Sequence, residues 1–238
     1  MEPRRFGPAG REIEYLVWPA TTPQPRAPVL LVPGMLASAA SWLDYPALVP
    51  RLTAEQGRAV FAISLRGRGG SSLPERGFDL AHHTQDLLAM LDHAHLEQVV
   101  VVGWSLGAVY GLGLASAHPD RVLGLVVGDA APCLPKFGER WRANAETLRS
   151  ELPFHPELPG RIVAEAEREN LETALPGLSL PILVLRGTLD DALLKSDAAA
   201  ASWSAAPNAT IVPLASGHEV FAEPEGQMAC LRFLDQLS

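Results

Sequence analysis

Short apolar runs recur along the chain, each closed by glycine, proline or a small polar cluster: Val29 to Val32, Ala59 to Ile63, Val99 to Val102, Val122 to Val127, Ile182 to Leu185 and Ala209 to Leu214. Runs that are apolar at successive positions predict strands buried on both faces of a sheet. Between them the spacing turns helical, from Ser41 to about Thr53, from Asp79 to His95 with Leu80, Leu87, Leu88 and Leu91 inward, after Gly103, and from Pro224 to Leu237. Near the start, Arg4 to Phe6, a Gly7-Pro8-Ala9-Gly10 turn, and Ile13, Tyr15 and Val17 alternating with polar neighbours predict a two-stranded antiparallel edge. The segment from Pro19 to Pro28, with its prolines, predicts a surface loop.

Strands alternating with helices make this an α/β protein with a doubly wound, mostly parallel sheet of about eight strands. The pattern changes between Pro132 and about Pro176, where charge rises and two helical stretches are separated by Pro153, Pro156 and Pro159. This predicts a short helical cap, residues 132–177, inserted after the sixth strand of a core formed by residues 1–131 and 178–238. Such an insertion is a natural substrate lid.

The chemistry concentrates in Gln98 to Ala117. There a buried strand runs into Gly103-Trp104-Ser105-Leu106-Gly107 and then into an apolar helix. This is G-x-S-x-G in the strand-turn-helix context of a nucleophile elbow. The glycines make room for a sharp turn that strains the serine backbone, and the Leu106 N–H at the helix start points at any oxyanion formed beside Ser105. The uncharged stretch from Val99 to Ala117 also has membrane-span character, but its glycines and serines break it, and no span is expected.

The 238 residues, 47% apolar and 19% charged, suffice for one large core. A net charge of -8 argues against nucleic acid as a partner. Cys133 and Cys230 are too few for a disulfide framework or zinc site, and no apolar signal segment follows Arg4 and Arg5, so a cytoplasmic protein is expected. The glycine-rich loop Ser64 to Ser71 fits neither phosphate-binding spacing. His82 and Asp86 share a helix face, which permits metal ligation but more simply describes a solvated face, so no metal and no cofactor are expected.

A serine nucleophile needs a base and an orienting carboxylate. Ser105, Asp129, Asp190 and His218 all follow strands, whose carboxyl ends gather ligands in such sheets. His218, after Gly217, is the histidine at a strand end. Asp190, just beyond Gly187, is the favoured acid, with Asp129 and Asp191 as alternatives.

These residues resemble the α/β-hydrolase fold superfamily, in its serine esterase-like branch, from about Glu12 to Leu237. The motifs are the Ser105 elbow, the acid in Gly187-Thr188-Leu189-Asp190, and Gly217-His218 followed by Glu223-Pro224. The order serine, acid, histidine is also the family's. The resemblance implies a main-chain oxyanion hole from Met35 and Leu106. It also implies a serine hydrolase of carboxylic esters; the short insertion points to a small or medium acyl chain, on a small-molecule substrate, in a monomer or homodimer, and the alternatives are a carbon-carbon bond hydrolase, lactonase or thioesterase on the same fold or a non-catalytic binding protein. Two features depart from the family: Pro33-Gly34 stands where His-Gly is usual, and Ser64 replaces the aspartate of D-x-R-G-x-G-x-S. Serine at the elbow disfavours the family's dehalogenases and epoxide hydrolases, which use aspartate there. Leu134, Phe137, Trp141, Leu148, Leu152 and Phe154 of the cap either line an acyl pocket or form its packing face, and Trp104 either shapes that pocket or packs beneath the elbow.

Overall fold

The alternation of side chains along Val99 to Val102 divides the interior in two. In the computed structural model, which describes residues 2–22 and 26–237, Val99 and Val101 face one helical layer and Val100 and Val102 the other. The chain runs through β1 (Arg4–Phe6), β2 (Ile13–Trp18), β3 (Arg26–Val32), α1 (Leu48–Ala54), β4 (Arg58–Ile63), α2 (Leu80–His93), β5 (Val99–Trp104), α3 (Leu106–Ala117) and β6 (Val122–Gly128). It continues through β7 (Cys133–Leu134), α4 (Glu139–Thr147), α5 (Leu158–Glu165), β8 (Glu169–Asn170), β9 (Ile182–Gly187), α6 (Asp197–Ala200), β10 (Ala209–Leu214) and α7 (Pro224–Asp235).

Eight strands form one sheet in the order β1-β2-β4-β3-β5-β6-β9-β10. β1 and β2 are antiparallel, as is β2 against β4, and every other pair is parallel. α2 and α3 cover one face through Leu87, Met90, Leu91 and Leu112, and α1 and α7 cover the other through Leu48, Leu52, Cys230 and Leu234. The expected doubly wound, mostly parallel sheet is therefore present. The uncharged stretch that could have spanned a membrane is split into β5 and α3, and no helix among the described residues is long and apolar enough to cross one.

Two local expectations change. The helix expected from Ser41 is a 3-10 turn over Ala39–Asp44 followed by α1, because Pro46 excludes the helical conformation from Tyr45, whose φ and ψ are -108 and 74. The Pro19 to Pro28 loop is shorter than expected, since Arg26 already pairs with Arg58; Pro23, Gln24 and Pro25 lie outside the described residues.

Between β6 and β9 the chain forms α4 and α5 and closes its base by pairing β7 with β8. Glu165 accepts the amides of Gly77 and Phe78, both at 2.8 Å, and Arg161 donates to the carbonyl of Pro74 at 2.6 Å. Leu158 and Ile162 of α5 bury against Leu36 and Phe78 of the core.

Candidate active site

The elbow forms as its glycines predict. Ser105 has φ 54 and ψ -127, a backbone region costly for any residue with a side chain, and its amide donates to the Gly128 carbonyl at 2.8 Å. A Cβ at Gly103 would overlap the backbone of Ala108, and one at Gly107 would overlap the Val32 carbonyl. The turn therefore needs both glycines.

His218 lies in the loop after β10. Its Nδ1 is 2.8 Å from Oδ2 of Asp129, which follows β6 and is fully buried. The Asp129 carboxylate also accepts amides from Gly187 at 3.2 Å, Leu193 at 2.7 Å and Leu194 at 3.1 Å. An ionised carboxylate only accepts, so Nδ1 carries the proton and Nε2 is left with a lone pair.

Asp190, the favoured acid of the sequence, is not at the site. Its side chain is fully exposed and its carboxylate is 3.9 Å from Lys195 Nζ. The loop after β9 folds back through the Thr188 and Leu189 amides onto the Ser216 carbonyl, both at 3.0 Å, so its amides converge on Asp129 while the Asp190 side chain faces solvent. Asp191 touches the histidine loop instead, accepting the His218 amide at 3.3 Å.

The Met35 and Leu106 amides donate to no described residue. Leu106 is the first residue of α3, where an N–H has no acceptor within the helix. The Gly34 carbonyl accepts from Ala37 N at 3.2 Å, which fixes the Gly34–Met35 peptide and turns the Met35 N–H the other way. The Ser105 hydroxyl makes no hydrogen bond to His218 or to another described residue. Catalytic bonds of this kind commonly tighten only with substrate bound.

Trp104 links the serine and histidine segments. Its ring lies 5.4 Å from that of His218, its Nε1 donates to the His218 carbonyl at 3.0 Å, and its six-membered ring fills the space above Gly34. This role as a brace for the histidine loop was not anticipated from the sequence. Phe137 and Trp141 contact each other at 4.8 Å and share an apolar cluster with Met35, Leu36 and Phe154, so the insertion's aromatics sit against the Met35 turn. A separate groove of about 970 Å³, between Glu75 to His82 and helices α4 and α5, is lined mostly by charged side chains and includes none of Ser105, Asp129 and His218.

The α2 histidines are committed elsewhere. His82 pairs with Asp79 at 2.7 Å, Asp86 pairs with Arg66 at 2.6 Å, and His83 is buried and stacked on Tyr110 at 4.1 Å. Ser64, in place of the resemblance's aspartate, accepts the Ala39 amide and donates to Glu14, both at 2.9 Å.

A family model described as alpha/beta hydrolase fold matches residues 27–173, more than half of the chain. The chain belongs to the α/β-hydrolase fold family. Epoxide hydrolase A of Mycobacterium tuberculosis is 38% identical over 116 residues, 48% of this chain, and 3-oxoadipate enol-lactonase 2 of Acinetobacter baylyi is 32% identical over 94 residues, 39% of this chain. In each case the aligned stretch spans only 34% of the relative's length. An esterase from Rhodococcus sp. ECU1013 superposes with a TM-score of 0.77 at 20% identity, covering 99% of both chains, a likeness of fold. The named activities of these proteins, epoxide hydrolase, enol-lactonase and esterase, differ in chemistry.

Proposed function

We propose that this α/β-hydrolase fold protein is a serine hydrolase that cleaves carboxylic esters of small or medium acyl chain through an acyl-enzyme. The observation that carries the reading is the 2.8 Å contact between His218 Nδ1 and the buried Asp129, which leaves His218 Nε2 as a base on the loop that Trp104 ties to the Ser105 elbow.

Asp129 holds the imidazole in one tautomer and stabilises its cationic form. His218 Nε2 takes the Ser105 proton as Oγ adds to the ester carbonyl. The tetrahedral oxyanion is held by the Met35 and Leu106 amides, which have no other acceptor among the described residues. As the carbon-oxygen bond breaks, His218 gives the proton to the leaving alcohol. Water, deprotonated by the same nitrogen, then releases the acid and regenerates Ser105. The aromatics Phe137 and Trp141, against Met35, form the wall met by the acyl chain, and residues 132–177 act as the lid.

Lactone cleavage is the second reading. A lactone is an internal ester that needs the same groups, and one relative is named 3-oxoadipate enol-lactonase 2. Hydrolysis of p-nitrophenyl esters from acetate to dodecanoate, beside a set of lactones, tests both. A chain-length optimum at short or medium esters supports the proposal, turnover confined to lactones selects the second reading, and no turnover of either refutes both.

A further inference from the structure

Arg68 is fully buried, yet none of its partners is a carboxylate. Its Nε donates to the Met35 carbonyl at 2.6 Å, its Nη1 donates to the Arg66 carbonyl at 2.7 Å, and Nη2 makes no hydrogen bond to a described residue. Nη1 also lies 3.5 Å from His83 Nε2, while His83 Nδ1 is 2.8 Å from the Asp79 carbonyl. A carbonyl can only accept, so the proton sits on Nδ1 and His83 meets the guanidinium as a neutral acceptor. Burial foremost, and then Arg68, hold the His83 pKa well below its ordinary value.

The neighbouring acid, Asp86, is occupied by two bonds from Arg66 at 2.6 and 2.7 Å. Burial lowers the Arg68 pKa to about 10, which still leaves it cationic at neutral pH; the Tyr110 hydroxyl and Asp86 oppose the shift. A buried cation with no paired anion is costly to fold around. This one stands directly behind the turn that carries Met35.

We propose that Arg68 is a positioning residue for the oxyanion site, clamping the Met35 carbonyl from behind and setting an unneutralised positive charge beside the developing oxyanion. The inference rests on the ester-hydrolase reading. The Met35 turn is held at both of its peptides: Ala37 N binds the Gly34 carbonyl at 3.2 Å and Arg68 binds the Met35 carbonyl, so the Met35 N–H between them is fixed and unpaired. The insertion seals the clamp from water. Gly69 N donates to the Pro153 carbonyl at 2.6 Å, His155 N to the Gly67 carbonyl at 2.8 Å, and Arg68 bridges Phe154. A charge shielded in this way acts more strongly than one in water.

The test compares wild-type protein with R68K, R68Q and R68M in p-nitrophenyl acetate kinetics and in the rate of inactivation by diethyl p-nitrophenyl phosphate, with melting curves for each. Both reactions place negative charge on an oxygen in the same hole. In R68Q and R68M, kcat and the inactivation rate fall together by about tenfold to a hundredfold, less than loss of a direct donor; KM stays within about threefold and R68K keeps most of the rate. If R68M fails to fold, R68Q, which retains a donor for the Met35 carbonyl, decides. A folded R68Q with kcat and inactivation rate within about threefold of wild type overturns the inference, as does a loss confined to KM. Wild-type protein that neither turns over ester nor reacts with the phosphate overturns the ester-hydrolase reading, and this inference with it. Active wild type with unaffected variants overturns this inference alone.

Discussion

Replacing Asp129 by asparagine separates the acid that the geometry assigns from the one that sits in the usual loop. In the folded protein Oδ1 accepts from Gly187 and Leu194, and Oδ2 accepts from Leu193 and His218. An asparagine can present its oxygen to only one of these pairs. With the oxygen toward Gly187 and Leu194, its NH2 faces the Leu193 amide and His218 Nδ1, and the imidazole must move its proton to Nε2, the tautomer that cannot accept from Ser105. With the oxygen toward His218, the Gly187 and Leu194 amides are buried without an acceptor, at about 1–3 kcal/mol each. The first arrangement orphans one amide and is favoured, so kcat falls about ten-thousandfold, as when a triad acid is replaced by its amide. The stability loss is about 1–3 kcal/mol. Ester hydrolysis measured beside Asp190→Asn, whose side chain is exposed, is the assay. An Asp129→Asn protein with wild-type kcat, or an Asp190→Asn protein that loses activity while staying folded, refutes the assignment.

Trp104→Phe keeps the ring against His218 but removes the donor to its carbonyl, so kcat falls about threefold to tenfold and stability by about 1 kcal/mol, read by ester kinetics and thermal melts. Gly107→Ala drives a Cβ into the Val32 carbonyl and costs about 1–3 kcal/mol or more by overpacking, seen as a lowered Tm in a denaturation series. His83 titrates lower in the folded protein than in the unfolded chain, so below about pH 6.5 the unfolded state binds a proton that the folded state refuses. Its contribution is complete above that pH and is lost as pH falls toward the folded value. Melting curves at pH 7 and pH 5 should therefore show a larger drop for wild type than for His83→Gln, and equal drops would contradict this.

Runs of buried valine and leucine made the sheet legible, and the strained turn between two glycines made Ser105 legible. The position of His218 at a strand end was legible too. Which aspartate meets it was not, because Asp129 and Asp190 both follow strands and only the path of the loop after β9 brings Asp129 against the imidazole. That path depends on the Thr188 and Leu189 amides returning to Ser216, a long-range pairing with no local pattern. A usable signal existed for the burial of His83, since Leu80, His83, Leu87 and Leu91 share one helical face. Arg68, in a glycine-rich loop, gave no sign that it would be buried without a carboxylate, because its environment is assembled from α2, α3, the Met35 turn and the inserted segment.

Covalent labelling by a fluorophosphonate, followed by mass mapping of the modified peptide, asks whether Ser105 is an activated nucleophile. One adduct per chain is expected, on Ser105, formed at neutral pH and slowed by about a thousandfold or more when His218 is replaced by alanine. An adduct on another residue, or none on folded protein, would contradict it.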